Sequence, residues 1–192
     1  MAAGAGAGAG RTRIAVIGVG NAFRRDDGAG WAVVALLEER ARRRPLPPGT
    51  RLDVCDGDPG RLIGLWEGAE LAVVLDAAHA HPGRPGRVHR IELDTPRLHR
   101  PPEAGSHGLG LGEAVELARF LGRLPGRLVV YAVEGADNSL GTRMSPEVVA
   151  SVEHLASAVE DEIVRHRDAA ARCDPRTRPE VAIWRASPGS ST

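Results

Sequence analysis

Two aspartates and one histidine in this 192-residue chain stand where metal chemistry is expected. Asp27 follows the apolar run 14–17, Asp76 follows the apolar run 71–75, and His107 precedes a stretch with helical apolar spacing. Carboxylate oxygen and imidazole nitrogen together suit a borderline divalent ion such as nickel or zinc. Three protein ligands would leave coordination positions open for groups from another molecule. Asp27, Asp76 and His107 are therefore the candidate metal ligands.

Each of these acidic and basic residues also has an ordinary explanation. Asp27, or Asp26 before it, could cap the first helix, because carboxylates are favoured at helix N-termini. Asp76 could be half-exposed at the edge of a sheet, since a buried carboxylate is costly unless it is paired. His107 could be a loop histidine, and Glu134 after the last strand could be a surface residue. Spacing alone does not establish a site, because the three candidates are far apart in the sequence.

A dinucleotide site is the other chemistry that the first strand suggests, because Gly18 and Gly20 follow it. The third glycine of that fingerprint would fall at Phe23, and the acidic ribose contact, about 20 residues further on, would fall near Arg40. The carboxylates at positions 26 and 27 stand where a pyrophosphate would meet the helix N-terminus, and they would repel it. The pattern therefore disfavours nucleotide binding.

Alternating strand and helix patterns must position these residues. Strand patterns cover 14–17, 51–55, 71–75, 88–93 and 128–133. Helical patterns cover 28–43, 62–66, 109–123 and, after an N-cap at Ser145, the stretch from Pro146 through Ile163. This alternation predicts an α/β fold, a twisted, mostly parallel five-stranded sheet sandwiched between helices in a single domain. Ligands of such sheets bind outside the carboxyl ends of the strands, so we expect the two aspartates and His107 to meet there.

Composition divides the chain into a folded body and two flanking segments. Residues 1–11 are an Ala/Gly repeat, and residues 168–192 are rich in Arg, Pro, Ser and Asp. Low-complexity and polar segments of this kind cannot bury enough apolar surface to fold. We therefore predict disorder in 1–11 and 168–192, and a folded domain over 12–167.

Charge and hydropathy narrow the class of protein. The chain has 25 basic and 25 acidic residues, whereas a nucleic-acid-binding protein usually carries a basic excess. No apolar run approaches the roughly 18 residues of a membrane helix, and the N-terminus lacks the pattern of a signal peptide. The two cysteines, Cys55 and Cys173, do not form a disulfide framework. We predict a cytoplasmic protein that binds neither nucleic acid nor membranes.

Four sequence motifs occur in an order and at separations that are specific when taken together. They are Ile17-Gly-Val-Gly-Asn21, Asp26-Asp-Gly-Ala-Gly30, Val74-Leu-Asp-Ala77 and Ser106-His-Gly-Leu-Gly-Leu111. In these motifs the chain resembles the hydrogenase maturation protease family, the endopeptidases that process the large subunits of [NiFe]-hydrogenases. The resemblance covers about residues 13–163, which is nearly the whole predicted domain.

The resemblance implies a twisted sheet between helices, an activity and a set of ligands. In the family, a carboxylate after the first strand, an aspartate after a middle strand and a histidine contact nickel; here these correspond to Asp27, Asp76 and His107. Some relatives have Glu where this chain has Asp27. The nickel is supplied by the large-subunit precursor, whose C-terminal extension the protease removes. Asp26 is a candidate general base, or a support for the ligands, by its adjacency to Asp27.

Two other functions are compatible with the same residues. The chain could be a self-sufficient metallohydrolase for small substrates, which would hold its own metal ion tightly. It lacks the His-Glu-x-x-His helix of a conventional zinc protease. It could also be a non-enzymatic nickel-binding module, in which loss of Asp27 would leave function intact if contact with its partner survived.

Overall fold

The computed structural model describes residues 13–78, 80, 82–93 and 111–173. In chain order its elements are β1 (Ile14–Val19), a 3₁₀ turn (Arg25–Gly28), α1 (Ala29–Arg43), β2 (Thr50–Cys55), α2 (Pro59–Trp66), β3 (Leu71–Ala78), β4 (Val88–Leu93), α3 (Leu111–Leu121), β5 (Arg127–Glu134) and α4 (Pro146–Cys173). Every predicted strand and helix is present, so the alternation read from the apolar pattern is confirmed.

The five strands form one sheet in the order β2-β1-β3-β5-β4. β1 pairs in parallel with β2 and β3, β3 pairs in parallel with β5, and β4 alone is antiparallel, at the edge beside β5. The predicted fold class, a mostly parallel five-stranded sheet, is therefore confirmed. Because β1, β3 and β5 are adjacent and parallel, their carboxyl ends meet at one edge of the sheet.

The sheet separates two apolar cores, and each core is closed by two helices. Alternate residues of a strand point to opposite faces, which is why β1, β3 and β5 contribute to both cores. The α1 and α4 side contains Ile14, Val16, Val33, Leu37, Leu71, Val73, Tyr131, Leu155 and Ile163 among its buried residues. The α2 and α3 side contains Ile17, Leu62, Ile63, Trp66, Ala72, Val74, Val115, Leu128 and Val130.

The sequence predicts that Asp76 follows the third strand, whereas the structure places it inside β3. The strand continues through Ala78, so Asp76 lies inside it and is paired in register with Ala132 of β5. Val74 packs in the core on the α2 and α3 side. Since Asp76 is two residues further along the strand, its side chain lies on that same face, above the apolar core.

α4 is longer than predicted at its C-terminus. It runs through Cys173, whereas the predicted tail begins at 168. The reason is local, because Ala169, Ala170 and Ala171 have the highest helix propensity of all residues. Disorder is predicted for 1–11 and 168–192, and of these segments residues 1–11 and 174–192 lie outside the described residues. Within the described part, no helix is both long and apolar enough to span a membrane.

Candidate active site at the carboxyl end of the sheet

Asp27 lies in the 3₁₀ turn that joins β1 to α1. Its side-chain Oδ2 accepts a hydrogen bond from the backbone N–H of Asn21 at 2.9 Å. Its own backbone N–H donates to the carbonyl of Arg24 at 3.0 Å. The carboxylate is half-buried, and one of its oxygens remains without a bond to the described protein atoms. Asp27 therefore stabilises the turn through two hydrogen bonds and still has one carboxylate oxygen that could bind a metal ion.

Three glycines allow this turn to lie against the sheet. A Cβ on Gly20 would be 2.0 Å from the carbonyl oxygen of Asp27, and the φ of Gly20 is +124°. A Cβ on Gly18 would be 2.4 Å from the carbonyl oxygen of Gly30, and one on Gly30 would be 2.4 Å from that of Leu75. The glycines that resemble a dinucleotide fingerprint thus serve the close approach of α1 to β1 and β3.

Asp76 is a half-buried carboxylate close to Asp27. Burial is the main reason that the pKa of Asp76 rises from 3.8 to about 6, the N–H of Ala77 opposes this rise, and the negative charge of Asp27 adds to it. The effect of Asp27 on Asp76 means that the two carboxylates lie close enough to repel each other. A cation between them would relieve both the repulsion and the cost of burial.

The side chain of Asp26 forms its hydrogen bonds with the loop after β5 and the start of α4, and not with Asp27 or Asp76. It is fully buried, and Oδ2 accepts from the N–H groups of Ala136 (2.8 Å) and Asp137 (2.9 Å) and from the hydroxyl of Ser145 (3.0 Å). Oδ1 accepts from the N–H of Ser145 at 2.6 Å. Burial opposes ionisation, but the backbone hydrogen bonds from Ser145, Asp137 and Ala136 hold the pKa of Asp26 below its ordinary value.

These contacts distinguish between the two roles predicted for Asp26. A general base needs an oxygen that can reach water or substrate, and both oxygens of Asp26 already accept hydrogen bonds from the protein. The carboxylate instead ties the 3₁₀ turn to the loop after β5 and to the start of α4. The contacts therefore favour a supporting role, in which Asp26 fixes the position of its neighbour Asp27.

Glu134 at the end of β5 is not the surface residue that the sequence suggests. It is only 3% exposed, and its Oε1 lies 2.6 Å from Nε2 of His89 on β4. Its Oε2 accepts from the N–H of Arg84. These two contacts, with the N–H of Arg84 the larger cause, lower the pKa of Glu134. Sequence reasoning missed this pair because its members are 45 residues apart and no motif joins them.

His107, the predicted imidazole ligand, lies outside the described residues. The segment 94–110 leads into α3, one of the two helices on the face of the sheet that carries Asp76. The described residues alone contain no group of three or more acidic, His or Cys side chains suited to a metal ion. The structure thus brings Asp27 and Asp76 together, and metal binding by these two residues and His107 stays a prediction.

Comparison with known proteins identifies the family. The model of the hydrogenase maturation protease family (HycI) matches residues 32–162. The chain is 27% identical over 169 residues to the hydrogenase 2 maturation protease of Escherichia coli, and the aligned region covers 85% of this chain and 96% of the relative. It is 31% identical over 140 residues to the hydrogenase expression/formation protein HupD of Bradyrhizobium diazoefficiens, covering 71% of this chain and 70% of the relative.

Solved structures of such proteases share the fold. The [NiFe] hydrogenase maturation protease HybD of Thermococcus kodakarensis is similar with a TM-score of 0.59 and 23% identity, over 79% of this chain and 99% of the other. The hydrogenase maturating endopeptidase HybD of E. coli gives a TM-score of 0.57 and 24% identity, over 83% and 92%. Since the family model spans more than half of the residues, this chain belongs to the hydrogenase maturation protease family.

Proposed function

We propose that this hydrogenase maturation endopeptidase removes a C-terminal extension from a nickel-loaded [NiFe]-hydrogenase large-subunit precursor. In this proposal it recognises the nickel of its substrate through Asp27, Asp76 and His107. The observation that carries the proposal is the pair of interacting carboxylates at the carboxyl end of the sheet, where the pKa of Asp76 is raised to about 6. We expect the reaction to take place in the cytoplasm.

The electrostatics of the pair suit a cation that arrives with another molecule. Two carboxylates that repel each other across a partly buried space favour a divalent ion, because each ligand must be deprotonated to bind it. With a pKa of about 6, Asp76 is mainly ionised at neutral pH. The site is therefore charged and ready to bind before the substrate arrives.

Docking through the shared ion would make the hydrolysis selective. The precursor's cysteine thiolates hold the nickel, and the protease completes its coordination. This fixes the C-terminal segment of the precursor against the sheet edge and raises the effective concentration of one peptide bond there. Hydrolysis adds the hydroxyl of water to the carbonyl carbon of that bond and a proton to the departing amine. A nickel-free precursor would lack the anchor.

The test is cleavage of nickel-loaded and nickel-free precursor by wild type and by Asp27→Asn and Asp76→Asn. Each variant keeps its side-chain size and loses a charge, so we expect at least about a hundredfold slower cleavage of the loaded precursor. Asp161→Asn, an exposed carboxylate on α4, is the matched control and should cleave like wild type. Equal cleavage of loaded and nickel-free precursor by wild type would contradict recognition through nickel.

Elemental analysis of the purified chain, together with the cleavage experiment, separates the alternatives. A self-sufficient metallohydrolase would retain about one metal ion per chain after purification, which elemental analysis would detect. A non-enzymatic nickel-binding module would leave both forms of the precursor intact. Under the proposed function, the purified chain holds little nickel and cleaves only the loaded precursor.

A further inference from the structure

Two large apolar side chains are exposed in the turn before Asp27 and in the loop that is bridged to it. Phe23 precedes the 3₁₀ turn and is 70% exposed, and Leu140 in the loop after β5 is 80% exposed. Large apolar side chains that cluster on a surface mark interaction sites more often than those that occur singly. We call Phe23 and Leu140 the rim pair.

The backbone holds the two residues of the rim pair next to each other. The N–H of Gly141 donates to the carbonyl of Phe23 at 2.8 Å, and the N–H of Arg25 donates to the carbonyl of Gly141 at 2.8 Å. These bonds form a parallel bridge between Arg24 and Gly141. Phe23 precedes Arg24, and Leu140 precedes Gly141. Because the bridge is parallel, Phe23 and Leu140 are also opposite each other, with backbones about 5 Å apart.

The surrounding loops keep this arrangement rigid. Arg25 has a φ of 46°, a left-handed conformation that a non-glycine residue adopts only when its neighbours enforce it. The φ of Gly141 is +147°, and a Cβ there would lie 3.1 Å from Nε of Arg25. The buried carboxylate of Asp26 fastens the same turn to the loop after β5. These contacts hold the backbone that carries the rim pair in place.

Phe23, one member of the rim pair, belongs to the same hydrogen-bonded turn as the proposed nickel ligand Asp27. The N–H of Phe23 donates to the side-chain oxygen of Asn21 at 2.9 Å, and the N–H of Asn21 donates to the carboxylate of Asp27. Asn21 therefore links the backbone of Phe23 to the carboxylate of Asp27 through two successive hydrogen bonds. A polypeptide that places a metal ion on Asp27 therefore comes close to the rim pair.

We propose that the rim pair is a docking surface for an apolar side chain of the large-subunit precursor, in the segment next to its nickel site. This inference rests on the proposed function and adds the contact that positions the polypeptide. Nickel selects the loaded state of the precursor, whereas the apolar contact adds affinity that does not depend on the metal. Continuity of the pair with the nickel site is what favours the precursor over a second copy of this chain.

The test measures binding of the nickel-loaded large-subunit precursor encoded in the same genome. The variant Phe23→Ala/Leu140→Ala removes the rim pair. Its control, Phe120→Ala/Leu121→Ala, removes the same residue types from α3, where they are 87% and 48% exposed. We expect the rim variant to bind the precursor about tenfold more weakly or worse, and the control to bind like wild type. Thermal unfolding verifies that both variants fold.

Each other outcome has a definite meaning. If the rim variant binds like wild type while Asp27→Asn does not, the rim proposal is wrong and the nickel proposal stands. An equal loss in the rim variant and in the α3 control also overturns the rim proposal, because the effect is then not particular to Phe23 and Leu140. If wild type fails to bind the loaded precursor at all, both proposals fall.

Discussion

The side chain of Asp76 holds a charge where burial disfavours it. Folding raises the pKa of Asp76 from 3.8 to about 6, chiefly through burial and further through the charge of Asp27. The folded chain therefore binds a proton more tightly than the unfolded chain. Stability from this residue is fully present below pH 4 and is lost as pH rises through about 6. The carboxylate is thus retained at the expense of folding, as is common at functional sites.

This conflict leads to a prediction for Asp76→Asn. The variant removes the half-buried charge and keeps the shape of the side chain. We expect its free energy of unfolding at pH 7 to exceed that of wild type by on the order of 2 kcal/mol, and the difference to vanish towards pH 4. Urea unfolding at both pH values measures it. A variant that is less stable than wild type at pH 7 would show that the carboxylate has a stabilising partner.

Asp76 also shows how far sequence reasoning reaches at this scale. An aspartate after five apolar residues of one strand is visible in the sequence, and its position at the carboxyl end follows from the parallel sheet. The burial of Glu134 is not visible, because its partners His89 and Arg84 come from the preceding strand and turn. Pairwise contacts across strands depend on register, which the apolar pattern alone does not specify.

At the scale of elements, Asp26 joins the 3₁₀ turn to α4. Its carboxylate accepts hydrogen bonds from residues that are 110 to 119 positions later in the chain. No local pattern reveals such partners, which is why the sequence offers only adjacency to Asp27 as a reason to consider Asp26. The structure gives a different reason to consider Asp26. Its buried carboxylate joins the 3₁₀ turn, the loop after β5 and the start of α4.

We expect Asp26→Ala to destabilise the fold by about 3 kcal/mol, because it leaves several buried N–H groups without an acceptor. Ser145→Ala removes only the hydroxyl donor and should cost about 1 kcal/mol. Urea unfolding of both variants provides the measurement. If Asp26→Ala were as stable as wild type but inactive, the carboxylate would act in the reaction itself rather than as a support.

The N-terminus of α1 depends on the absence of a side chain at Gly30. A methyl group there would meet the carbonyl oxygens of Leu75 and Val19 at 2.4 and 2.8 Å. We expect Gly30→Ala to lower the free energy of unfolding by about 3 kcal/mol and to shift Asp27. Gly64→Ala in α2 is the matched control, since a Cβ there meets nothing within 4 Å, and it should stabilise the fold by about 1 kcal/mol. Equal effects of the two substitutions would contradict this account of the packing.

At the scale of the whole molecule, the order β2-β1-β3-β5-β4 places the loops after β1, β3 and β5 together. The apolar alternation predicts this architecture, because buried parallel strands and amphipathic helices each have a distinct period. The ends of elements are less predictable, as the extension of β3 through Ala78 and of α4 through Cys173 shows. Those ends are set by tertiary contacts and by propensity, and they decide whether a residue such as Asp76 lies inside a strand or after it.

The complete complex of protease and precursor should respond to pH through this edge of the sheet. A carboxylate must be deprotonated to bind a metal ion, and Asp76 has a pKa of about 6. We therefore expect cleavage of the nickel-loaded precursor to slow as pH falls from 7.5 to 5, with a fall of about tenfold per pH unit once Asp76 is mainly protonated. Single-turnover cleavage at constant ionic strength measures this profile, with the nickel content of the precursor determined at each pH. A cleavage rate that stays constant over this range, on a precursor that retains its nickel, would mean that Asp76 is not a ligand in the productive complex.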